Sequence, residues 1–254
     1  MRIERIAVTP VKGLALVHPR EVFLDAEGVA SNRRFYLVDD HGRLFTAKHH
    51  GPLVRVRPRY DADRDHLRLE FPDRQVVDGA VELDGPVATE FWQKREVAGR
   101  LVLGPFGDAL SAYVGRRLRL VRTARTGAGN DLHPATIVSQ ASVDELGRRA
   151  GSAADPDVRR FRMLFTLAGC EPHEEDGWMG KRLTIGNAIV RVVGPVPRCV
   201  TTTYNPDTGR RDLDTLRIVK SYRGVGDDGK VEFGVYAVVE QPGRVRVGDS
   251  VVPA

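Results

Sequence analysis

The stretch "RLTIGNAIVRVVGPVPRCVTTTYNPDTG", residues 182–209, decides how the chain is read. Its first half is rich in β-branched residues and broken by turn formers. That is a strand pattern, with Gly194, Pro195 and Pro197 read as its end. "CVTTTY" is expected to open a further strand, and "NPDTG" a tight turn in which Pro206 presets φ and Gly209 tolerates a positive one. Cys199, one of two cysteines in 254 residues, thus stands at a strand end beside Arg198. A neighbouring cation favours the thiolate, which is the nucleophilic and metal-binding form, yet free cysteine is also among the most buried residue types. Spacing alone leaves both readings open. Cys170, inside the apolar "MLFTLAGC", is read as a small buried hydrophobe.

The same strand signal runs outward in both directions. "RIERIAVTPV" opens the chain, "RRFYLVDDHGRLFTAKH" reads as a hairpin turning near Asp40, His41 and Gly42, and "DHLRLEFP" alternates apolar with polar residues. "AVELD", "RLRLVRT", "KVEFGVYAVVEQ" and "GRVRVGDSVVP" add further strands. Many strands at short spacing predict a mainly β fold with a few helices, of the barrel or sandwich kind. Two helices are expected, one in "FGDALSAYVGRR" after Pro105 and one in "SQASVDELGRRAG", with a Ser142–Glu145 capping box and Gly151 as its stop. Between them the Gly- and Pro-punctuated link 123–136 predicts two domains, 1–125 and 126–254.

Hydrophobic residues at 41% and charged residues at 29% are ordinary globular values, so neither disorder nor a membrane-embedded body is implied. No apolar run approaches the roughly 20 residues that span a bilayer, and "MRIERIAVTPVKG" has no signal-peptide core. The expectation is a cytoplasmic monomer with reduced thiols. The net charge of +5 raises nucleic acid as a partner, but the basic residues are interleaved with apolar ones. A small anionic ligand accounts for the bias equally well. Of the 39 basic residues 33 are arginine, so no single arginine stands out by type alone.

Other chemistries lack their residues. There is no CxxC, no HExxH around His173, no phosphate-binding loop lysine in "GPFGDA" or "GVGDDG", and no Gly-x-Ser-x-Gly elbow. Glu174, Glu175 and Asp176 read as a solvated acidic turn.

Taken together, "RRFRMLFTLAGCEPHEEDGWMGKRLTIGNAIVRVVGPVPRCVTTTYNPDTG", "KSYRG" and "FGVYAVVEQPGRVRVGDSVV" resemble the MOSC domain. The first half, with "TPVKG" and "GVASNRRFYLVDDHGRLFTAKHHGPLVRV", resembles the β-barrel domain that precedes it, in the arrangement of the amidoxime-reducing molybdenum enzymes. The resemblance implies a β-barrel MOSC domain packed with an N-terminal barrel-like domain. It implies a molybdenum–molybdopterin cofactor with Cys199 as the metal ligand and catalytic residue. Lys12, Arg34, Arg162, Arg198 and Tyr236 are implied as cofactor-binding residues, since a phosphate held away from water needs charge-assisted donors. It further implies reduction of N-hydroxylated or N-oxide substrates, with electrons from a separate donor protein because no iron–sulfur cysteine pattern is present. Asp212 and Asp214, near the motif, are candidate proton donors.

The alternative implied by MOSC domains at large is a sulfur or cofactor carrier acting through Cys199. Its sulfur donor would be a partner, because the chain has no pyridoxal-phosphate desulfurase domain. Four polar positions of the family pattern are replaced, at Gly13, Leu132, Leu164 and Pro197.

Overall fold

The computed structural model describes residues 1–151 and 156–253. Strand dominates, as the sequence pattern predicts. Seven strands form one sheet in the order Arg2–Ile6, Phe165–Ala168, Ala135–Ser139, Glu232–Gln241, Ala188–Pro197, Arg182–Ile185 and Val251–Pro253. The Arg2–Ser250 bridge and the bond from Val251 N to Met1 O bring the last strand back to the first, nearly closing a barrel. Inside lie Ile3, Ile6, Ile137, Leu167, Leu183, Val190 and Val235, all fully buried. Each such side chain contributes about 1.5–3 kcal/mol by leaving water.

The remaining strands build the other half. A five-stranded sheet (Leu44–Phe45, Phe35–Asp39, Leu118–Thr123, Glu96–Val102, Leu83–Glu90) and a three-stranded one (Arg57–Asp61, His66–Glu70, Val76–Ala80) share a core with helix α1, Phe106–Val114. Leu67 and Leu69 face inward there while His66, Arg68 and Glu70 are only half-buried, as the alternation requires. The expected boundary at 125/126 falls between the strands Leu118–Thr123 and Ala135–Ser139. In space, Arg2–Ile6 is a barrel strand and Glu21–Leu24 pairs with Gly243–Arg246, so Ile3, Ile6, Val8, Val22, Leu24 and Val29 join the barrel core, while Val11 and Leu14 join the other.

Several local expectations are corrected. "CVTTTY" is not a strand: Val200–Thr203 is a short 3-10 helix in which Thr202 and Thr203 hydroxyls donate to the carbonyls three residues back. Threonine's local bonding to backbone outweighs its strand preference here. Gly194 and Pro195 do not end the preceding strand, which runs to Pro197 with register shifts at both positions; bulges absorb them. "AVELD" straddles the junction between Val76–Ala80 and Leu83–Glu90.

Helix α2, Gln140–Ala150, ends at Gly151 as expected, but its cap is Ser139, whose hydroxyl accepts from Ser142 N. Ser142 instead donates to buried Glu175, so its hydroxyl is taken and no Ser142–Glu145 box forms. Ser139→Ala is therefore expected to lower stability by about 1–2 kcal/mol in a urea melt, and Ser142→Ala should not reproduce a pure capping loss, because it also strips a partner from Glu175. A third helix, α3 (Thr215–Arg223), is capped by Asp214, which accepts from Arg217 N. No described helix is long and apolar enough to cross a membrane.

Candidate functional site

Cys199 lies two residues beyond the strand Ala188–Pro197, at the start of the 3-10 turn, and is exposed. Its thiol donates to Thr201 Oγ1 at 3.3 Å. It opens into a cleft of about 470 Å³ that also receives Lys12, Arg33, Arg162, Arg198, Asp131 and Tyr236. These residues come from six different segments, so only the packed fold assembles them.

Backbone conformation aims two of the cations. Arg33 and Arg162 both adopt a left-handed φ, at 51° and 54°, which costs a non-glycine residue of order 1 kcal/mol. Arg162 caps the 3-10 helix Val158–Phe161, donates to Leu14 O at 2.6 Å, and receives on its own carbonyl a bond from Arg33 Nη2. Burial pulls its pKa down to about 10.

Arg198 is tied down differently. Its Nη1 donates to Phe161 O at 2.9 Å and its Nε to Phe233 O at 2.8 Å, and the guanidinium lies over the Phe161 ring. It orients the Cys199 turn more than it offers free donors.

Lys12 is 8% exposed and donates to Gly129 O at 3.0 Å and to Asp131 Oδ1 at 2.6 Å. Asp131 Oδ2 takes Arg33 Nη1 at 2.8 Å. Burial alone would raise the Asp131 carboxyl, but the Lys12 and Arg33 cations outweigh it and hold it well below the usual carboxylate range. Burial, with Arg33 adding to it, brings Lys12 down to about 8 despite Asp131. Close backbone contact fixes this group: a Cβ on Gly129 would fall 1.9 Å from Arg33 O. Tyr236 closes the wall, its hydroxyl pushed up to about 12 by burial and Asp131, its ring edge-on to His133 at 5.3 Å.

The Lys12 shift sets a pH dependence. Its folded pKa lies below the unfolded value, so between about 8 and 10.5 the unfolded chain binds more protons and stability rises with pH. Relative to a Lys12→Met variant, the wild type is expected to gain melting temperature across that window; a constant difference would show that Lys12 is not held in this state.

The profile of the MOSC domain matches residues 124–252, and that of the MOSC N-terminal beta barrel domain matches residues 1–117. The chain belongs to the MOSC family. Mitochondrial amidoxime-reducing component 1 of Homo sapiens is 36% identical over 290 aligned positions, which take in 98% of this chain and 82% of that protein. Component 2 of Homo sapiens is 38% identical with the same two shares. The molybdenum cofactor sulfurase of Drosophila grimshawi is 28% identical over 91% of this chain but only 31% of its own length.

Within this MOSC protein the sequence-predicted residues divide. Lys12, Arg162, Arg198, Cys199 and Tyr236 meet in the cleft, whereas Arg34 does not line it. Its Nη1 donates to Thr123 O at 2.7 Å and to Thr123 Oγ1, so it braces the five-stranded sheet, and its neighbour Arg33 takes the cleft position. Strand alternation beyond "NRR" would have separated the two, had the left-handed turn at Arg33 been foreseen.

Asp212 and Asp214 are also elsewhere. The former pairs with Arg160 at 2.7 Å and the latter caps α3; the carboxylates that line the cleft are Asp131 and Glu90, of which Asp131 pairs with its cations. Asp131 was overlooked because the 123–136 link reads as a connector. Of the four altered positions, Gly13 and Pro197 line the cleft, Leu164 is buried in the barrel core and Leu132 is exposed beside it. Gly13 has φ +91°, and a Cβ there would sit 3.1 Å from Ala47 N, so a side chain at this position would be strained.

Proposed function

We propose that this MOSC protein holds a molybdenum–molybdopterin cofactor in the Cys199 cleft and reduces N-hydroxylated compounds with it. The observation that supports this best is the convergence of one exposed thiol with several cations distant in sequence, Lys12, Arg33, Arg162 and Arg198 among them.

These residues fit the group. A soft thiolate suits molybdenum, and Arg162, whose only side-chain hydrogen bond among the described residues goes to Leu14 O, keeps donors spare for a phosphate. Among the described residues no three His, Cys, Asp or Glu side chains gather into a metal set of their own, so Cys199 would be the single protein ligand. Lys12, Arg33 and Arg162 would hold the phosphate and Tyr236 would flank the ring system.

When bound, the cofactor would supply a metal able to deliver two electrons to an N–O bond. Overall the N–O bond breaks, two electrons and two protons are consumed, an N–H bond forms and the oxygen leaves as water. With only two cysteines in the chain, the electrons come from a separate donor protein. Asp131 stays ionised and keeps Lys12 in place for the phosphate. Cofactor-loaded protein given a chemically reduced dye is expected to convert an N-hydroxylated nucleobase to its parent base. Absence of conversion would overturn the reductase reading.

One feature favours a second reading. Asp131 already engages Lys12 and Arg33, reducing the charge offered to a phosphate. A carrier of persulfide sulfur on Cys199, loaded by a partner, would need only the exposed thiol. Mass spectrometry of the intact protein would then find one added sulfur atom, removable by reductant.

A further inference from the structure

Beside the Cys199 cleft lies a second one, of about 480 Å³, and Arg160, Arg162 and Thr201 line both. Its wall is unusually cationic: Arg55, Arg57, Arg74, Arg159, Arg160 and Arg162 against Glu70 and Asp207. The six arginines come from three separated segments, the 3-10 turn and strand at 51–61, the turn after His66–Glu70, and the 3-10 turn that ends at Arg162.

Internal pairing accounts for only part of this charge. Arg159 is bound by Asp157 and Asp207, and Arg160 by Asp212. Arg55, Arg57 and Arg74 are exposed and form no ion pair among the described residues. Arg160 is 5% exposed, yet its Nε has no hydrogen-bond partner. A buried guanidinium donor left without an acceptor is costly, and Arg160 shares that condition with Arg95 Nε and His173 Nδ1.

We propose that this second cleft binds the phosphate of a small phosphorylated molecule, with Arg57 and Arg74 engaging it from the rim and Arg160 from the floor. Guanidinium groups presented from several directions match the oxygens of a phosphate, and the pocket's size suits a small molecule rather than an extended polymer. Phe71 and Tyr204 give the cleft an aromatic side against which the rest of the ligand rests. Because the two clefts share Arg160, Arg162 and Thr201, a ligand lying across both would place its phosphate here and its other end toward Cys199. That consequence, a preference for phosphorylated N-hydroxylated substrates, rests on the reductase reading; the anion site itself does not.

The test uses the full chain and inorganic pyrophosphate as the probe, followed by titration calorimetry at low salt. Wild type and Cys199→Ser are expected to bind alike, whatever their metal content. An Arg57→Gln/Arg74→Gln double variant, altered only at exposed positions, is expected to lose a binding component at least about tenfold, and a Lys12→Met variant to keep that same component. No binding by wild type, equal binding by the double variant, or loss in Lys12→Met alone would overturn the proposal, the last by placing the anion in the Cys199 cleft. If pyrophosphate binds as expected while the loaded protein reduces no N-hydroxylated base, the anion site stands and the reductase reading falls.

Discussion

Cys199→Ser is expected to cut the molybdenum and pterin content of protein from a molybdopterin-competent host at least about tenfold, from about one metal per chain in the wild type. The argument is one of ligand chemistry. A serine hydroxyl is a harder donor and is far harder to deprotonate than a thiol, so it neither matches a soft metal nor readily supplies an anionic ligand. The substitution is isosteric at an exposed residue whose only side-chain bond among the described residues is to Thr201 Oγ1, so folding should be untouched and any loss reads on binding. A wild-type protein that purifies without molybdenum and pterin from such a host would remove the cofactor reading and leave the sulfur-carrier one. A serine variant that retains the full complement would instead move the metal ligand away from Cys199.

A fragment of residues 126–254 is expected not to fold, giving an unfolded circular-dichroism spectrum and no cooperative melt. The MOSC profile covers nearly this span, yet the barrel needs Arg2–Ile6 between Phe165–Ala168 and the chain's last strand. Removing it unpairs two sheet edges and uncovers Leu167, Phe165 and Val251. Loss of Ile3, Ile6, Val8, Val22, Leu24 and Val29, each contributing about 1.5–3 kcal/mol by its burial, is as large as the roughly 5–15 kcal/mol stability of a typical domain. A cooperative melt from the fragment would show that the barrel closes without its first strand. Adding residues 1–30 in trans as a peptide should restore structure if the argument is right.

The candidate site divides along the same physical line. Cys199, Arg162 and Lys12 were legible because each stands in a motif, and the structure does bring them to one cleft. Arg33 and Asp131 were not. Which of two adjacent arginines faces a cleft depends on a single left-handed φ, and Asp131 sits in a link whose composition says only that it turns. Arg198 carries a related lesson: its motif position is right, but its donors serve the carbonyls of Phe161 and Phe233, which lie 37 and 35 residues away.

Local pattern was enough for the strand-rich class, for α1 after Pro105 and for the end of α2 at Gly151, because alternation, proline and glycine act within a few residues. Spacing alone left Cys199 open between a buried and a reactive thiol; the family resemblance singled it out, and it is exposed. Packing alone decided that "VTTT" coils rather than extends, that Ser139 caps α2 in place of Ser142, and that the chain's first residues close a barrel built mostly from its last. Those outcomes depend on partners far along the chain: Glu175 for Ser142, Thr215 for Thr202, Ala168 for Arg2. Contacts between distant residues are chosen by the total burial and hydrogen bonding of the folded state, which no short window of sequence contains.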